Sequence, residues 1–74
     1  MKLKEHDVVT LVVDLPSDGL RVGEVGTVVH VHGSGKAFVV EFADHETPVF
    51  ATVLPAQVSE RRPIHGRRLP TSTR

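Results

Sequence analysis

The chain has no cysteine, no tryptophan and no tryptophan-like platform beyond three phenylalanines among its 74 residues, and each shortage excludes a class of function. Without cysteine there are no disulfides, no thiolate-bound zinc, no iron–sulfur cluster and no cysteine nucleophile. A domain held together by packing alone is expected in a reducing compartment, the cytoplasm. Small barrels that bind single-stranded nucleic acid do so on aromatic stacking platforms, and here the aromatic supply is short. No apolar run approaches the roughly 20 residues needed to span a bilayer. The charged start, Met1-Lys2-Leu3-Lys4-Glu5-His6-Asp7, has no apolar stretch of the kind a secretory signal requires. These features predict one soluble domain, since a chain of this length supports a single small core.

Net charge is zero, but its distribution is not even. Residues 1–60 hold four basic residues (Lys2, Lys4, Arg21, Lys36) against nine acids, a net of −5. Residues 61–74 hold Arg61, Arg62, Arg67, Arg68 and Arg74 and no acid, a net of +5. With two prolines, one glycine and two large aliphatics, that second piece predicts a disordered basic tail over residues 63–74, following a folded domain over residues 1–62.

Within the domain, β-branched residues gather in short runs punctuated by Gly, Pro, Asp and Ser, which is the texture of strands. The first is expected over Asp7–Asp14, with both faces at least partly covered, followed by a long loop over Leu15–Glu24 in which Gly23 takes a positive φ. Val25–His32 reads as the second strand. Gly26 within it marks a bulge or a close backbone approach. Gly33-Ser34-Gly35 reads as a hairpin turn, and Lys36–Ala43 as a third strand with Phe38, Val40 and Phe42 facing inward together with Val28 and Val53. Val49–Leu54 is the fourth strand, Pro55-Ala56-Gln57 a short helical turn, and Val58–Arg62 the fifth. Five short strands with no useful helix predict an all-β fold, a small five-stranded SH3-like barrel with a disordered C-terminal tail.

Several segments in order carry a family resemblance: Asp7-Val8-Val9, Asp14-Leu15-Pro16 with Gly19-Leu20, Gly23-Glu24-Val25-Gly26-Thr27-Val28-Val29, Phe38-Val39-Val40-Glu41-Phe42, and Val53-Leu54-Pro55-Ala56-Gln57-Val58. Over about residues 5–62 they resemble the bacterial family called domain of unknown function 4926. The resemblance implies a small SH3-like barrel and offers no catalytic residue. Pro48 departs from the family pattern and is expected to shorten the strand that follows it.

Chemistry is sparse. His30 and His32 stand on one face of a strand about 7 Å apart, but no third ligand follows at a recognised spacing, so no metal or cofactor is assigned. Ser17, Ser34 and Ser59 lie in or beside turns with no base to activate them. Gly33-Ser34-Gly35-Lys36 has the residue types of a phosphate loop but opens no helix. No catalytic residue is assigned, and the protein is expected not to be an enzyme.

What remains is binding. Asp14, Asp18, Glu24, Asp44 and Glu46 predict an acidic face suited to a basic protein partner, in the groove between the long loop and the 44–48 turn or at a residual strand edge. The expected role is that of a small binding module, either an antitoxin-like or immunity-like neutraliser or an accessory subunit. The alternative is association with nucleic acid through Arg61, Arg62, Arg67, Arg68 and Arg74, whose contacts would be to phosphate and salt-sensitive. No membrane partner is expected.

Overall fold

Alternation of apolar and polar residues with a period of two puts one side of each strand into a core, and the burial pattern follows it closely in Ala37–Phe42, where Phe38, Val40 and Phe42 are buried and Ala37, Val39 and Glu41 are not. The computed structural model describes residues 2–61. The strands are β1 (Val8–Leu11), β2 (Val25–His32), β3 (Ala37–Phe42), β4 (Val49–Val53) and β5 (Val58–Glu60), with single 3-10 turns at Pro16–Asp18 and Pro55–Gln57. All pairings are antiparallel and the sheet order is β4-β3-β2-β1-β5, an all-β arrangement that fits a small barrel. No helix among the described residues is long and apolar enough to cross a membrane.

The core joins Val9, Leu11, Val28, Phe38, Val40, Phe42, Ala51, Val53 and Val58 from the strands. Leu3 and Leu20 complete it from outside the strands. Leu20 is carried in by the long loop, which folds back on itself through a bridge between Leu15 and Leu20. The hairpin after β2 closes with the N–H groups of Gly35 and Lys36 both donating to the carbonyl of His32, at 3.1 and 2.9 Å. Gly33, Ser34 and Gly35 all take positive φ there, which is why two of the three are glycine.

Two strand ends differ from expectation, and one alternative is resolved. The first strand ends at Leu11 rather than Asp14, and Val12 and Val13 are 46% and 38% exposed, because the chain leaves the sheet to start the loop. Of the two readings of Gly26, the close approach holds, since a β-carbon there would lie 2.9 Å from the Glu41 carbonyl oxygen, whereas the bulge in β2 falls between Val28 and His30 and leaves Val29 37% exposed. The fifth strand ends at Glu60, two residues short of Arg62. The disorder expected for residues 63–74 lies outside the described residues, as do Arg62, Arg67, Arg68 and Arg74.

Candidate functional site

Among the described residues, the acidic loop end and the β4 edge are surface features with a defined geometry. At the loop end, the structure places the predicted acids in two roles. Asp14 accepts a hydrogen bond from the Val22 N–H at 2.8 Å, and Glu24 accepts one from the Arg21 N–H at 2.9 Å, so both hold the long loop in shape. The other Glu24 oxygen meets His45 Nε2 at 2.7 Å. This contact clasps the long loop to the turn after β3, across the groove anticipated between them. Asp44 and Glu46, on either side of His45, are exposed beside that clasp, and Asp18 is exposed on the long loop.

The hydrogen bond from His45, and next that from Arg21, hold the Glu24 carboxyl below its ordinary value of 4.5. A carboxyl depressed in the folded state contributes stability above its unfolded value, and that contribution is lost as pH falls through the lower folded one. Glu24→Gln should therefore melt below the parent at pH 6, with the gap closing as the pH is taken from about 5 to about 3. Thermal melts of the two proteins across that range check this, and a gap that stays constant would show that the carboxylate charge does not matter to the clasp.

Along β4, the edge strand that follows this turn, the sequence supplies no charge between Glu46 and Glu60. Pro48 and Pro55 bracket β4 and Leu54, so the edge is short and its ends cannot extend as paired strand on the proline nitrogens. The direction of the backbone groups follows from alternation across the sheet. Leu11 N–H donates to Glu24 O at 2.9 Å and Val28 N–H to Asp7 O at 2.8 Å, so even-numbered residues of β2 bond toward β1. Thr27 then bonds toward its partner Glu41, residues 38, 40 and 42 of β3 bond toward β4, and Val49, Ala51 and Val53 bond back. The N–H and C=O of Phe50 and Thr52 consequently point out from an edge that no other strand among the described residues pairs. The side chains of the same two residues are exposed on the outer face, where Phe50 is 58% and the following Leu54 53% exposed. Leu54 N–H is already engaged, donating to Gln57 Oε1 at 2.8 Å. β5, the other edge, has only three residues and carries Glu60.

The outer face continues inward from this edge through Val39, partnered by Thr52 on one side and His30 on the other. His30 and His32 are exposed and touch edge to face, with ring centroids 4.5 Å apart. No group of three or more potential metal ligands occurs among the described residues. A hollow lined by Lys2, Leu3, Lys4, Glu5, Val31, Ser34 and Gly35 lies at the hairpin end.

The model of the family described as Domain of unknown function (DUF4926) matches residues 5–58, well over half of the chain. The chain belongs to that family. The matched span of this DUF4926 protein contains β1 to β4, the clasp and the whole β4 edge. No curated protein and no solved structure matches it.

The acids were visible from sequence as a composition, but the clasping His45 was not singled out as their partner, since nothing in the local sequence brings residue 45 to residue 24. Phe50 was missed as a surface residue. Its signal was present: it alternates with Ala51 and Val53 in a strand whose inward set is otherwise complete.

Proposed function

We propose that this protein is a non-catalytic, cytoplasmic protein-binding module that accepts an extended segment of a partner along β4, by strand addition. One observation carries the reading: an uncharged edge whose Phe50 and Thr52 backbone groups point outward, beside the exposed side chains of Phe50 and Leu54. Unpaired edges of this kind are templates for another strand, and proteins that do not use them blunt them with charge, bulges or proline inside the strand. β4 has none of these within its length. The exposed acids, Asp44 and Glu46 beside the Glu24–His45 clasp and Asp18 on the long loop, favour a partner with basic character and raise its rate of encounter. A neutraliser of antitoxin or immunity type and an accessory subunit would both use such an edge. Binding of nucleic acid by the barrel is disfavoured, because residues 1–60 carry nine acids against four bases.

Capture from the native cell extract tests this with the wild-type chain and Phe50→Lys as baits, at low and high salt. A protein retained by the wild type at high salt, and reduced at least about tenfold with Phe50→Lys, is the expected result; that discrimination is of the size of one buried aromatic anchor. Nucleic acid recovered only at low salt, with equal yield from both baits, would replace this reading by the Arg-rich tail.

A further inference from the structure

We propose that the strand received along β4 is the β4 of a second copy, in an antiparallel, two-fold pairing centred on Ala51. The proposal rests on the reading of β4 as a strand-accepting edge and names its occupant.

With the axis at Ala51, Phe50 of one copy faces Thr52 of the other, and each of these pairs exchanges both N–H···O=C bonds. Every outward backbone group of Phe50 and Thr52 is then satisfied on both copies. The next pair outward would be Pro48 with Leu54, and neither has an amide donor to give: proline lacks one, and the Leu54 N–H is held by Gln57 Oε1 at 2.8 Å. The edge thus ends where the symmetric pairing ends.

A two-fold pairing brings a strand against itself, so any charge near the axis meets its own copy at short range. The stretch between Glu46 and Glu60 has none. Direction is decided by the flanks. Asp44 and Glu46 precede β4, while Lys36 precedes β3 at the end of the sheet where β4 finishes, as the pairing of Phe38 with Val53 shows. Antiparallel pairing sets the acidic turn of one copy beside the Lys36 end of the other; parallel pairing would set acid beside acid. Phe50 against Thr52 is an aromatic on a β-branched residue, a favourable cross-strand pair.

A joint of this size lies below the roughly 1,200 Å² of standard interfaces, so the association should be weak and reversible. Sedimentation equilibrium from about 10 µM to about 1 mM reads it directly, a range chosen for small interfaces of this class. The wild type should pass from monomer to dimer, and Phe50→Lys/Thr52→Lys, which places lysines opposite one another on exposed positions, should weaken association at least about tenfold. A matching thermal melt shows that the double variant is folded. Because the chain has no cysteine, register can be read by cross-linking. Phe50→Cys and Thr52→Cys, mixed in equal amounts and oxidised, should give predominantly the mixed disulfide. A wild type that stays monomeric throughout, or cross-linking that favours either variant with itself, overturns the proposal. If a monomeric wild type still captures a protein partner in a Phe50-dependent way, the second copy is excluded while the strand-accepting edge survives. If it captures none, both fall.

Discussion

Gly26→Val is expected to cost about 3 kcal/mol or more, at the upper end of what overpacking does to a core. A β-carbon built on Gly26 would lie 2.5 Å from Val40 Cγ1, 2.9 Å from the Glu41 carbonyl oxygen and 2.9 Å from Phe42 Cδ2. A side chain could turn aside, but the Glu41 carbonyl is backbone of β3, paired with Thr27 of β2 and fixed between the bonds that Val40 and Phe42 make to Ala51 and Val49 of β4. Relief therefore requires β2 and β3 to separate. Gly26 is not among the residues with positive φ, so the cost is steric and not conformational. Thr27→Val, one residue along and half-buried, changes neither volume nor backbone and should stay within about 0.5 kcal/mol of the parent. A domain this small has roughly 3–9 kcal/mol in total, so Gly26→Val should be largely unfolded where Thr27→Val melts normally. Urea titrations of both variants decide it, and comparable midpoints would show that β3 yields more easily than its pairing implies.

The physics that made the fold legible in the sequence is local, and so are its limits. β2 was readable to the residue, Val25–His32, because Gly23 and the Gly33-Ser34-Gly35 turn bound it on both sides. β3 was readable by face, since only one register buries two phenylalanines. β1 was drawn four residues too long, one at its start and three at its end: Val12 and Val13 have strand composition, but whether they stay in the sheet depends on where the long loop must begin in order to carry Leu20 into the core. Leu3 was hidden for a related reason, as an isolated leucine between lysines has no periodicity to declare its burial. Gly26 was legible as either a bulge or a close approach, and it serves close packing; the bulge at Val28/His30 follows no glycine and left no mark in the sequence.

At the site, composition revealed that acids cluster in the loops, whereas their division of labour needed coordinates. Asp14 and Glu24 are committed to backbone donors within the loop, leaving Asp18, Asp44 and Glu46 to face a partner. The β4 edge was more deeply hidden. Which strand lies at an edge is a property of sheet order, and which of its backbone groups point outward is a property of register accumulated across β1, β2 and β3. Neither is written in residues 49–54 themselves. The absence of charge there was legible, but an uncharged strand is equally expected at the centre of a sheet.

Phe42→Ala should remove about 3–5 kcal/mol, the usual cost of emptying a fully buried phenylalanine site, and so leave little of the domain folded. The ring is completely buried near the end of β3, opposite Val49, and its Cδ2 is one of the atoms that crowd the face of Gly26. The glycine and the phenylalanine are thus two halves of one fit, in which the missing side chain on β2 makes room for the large one on β3. The coupling is measurable. Gly26→Ala alone forces its new methyl against the Phe42 ring, Val40 and the Glu41 carbonyl; in a Phe42→Ala background the ring is gone and the methyl enters part of the space it left. The double variant should be more stable than the sum of the single losses predicts, by about 1 kcal/mol, within the range found for residues in contact. The Glu41 carbonyl stays in place in either background, so the compensation should be partial. Chemical denaturation of the four proteins, with added osmolyte where a variant is too unstable to show a folded baseline, gives the coupling directly. Strict additivity would mean that the ring is not what restricts position 26, and that the backbone of β3 alone demands the glycine.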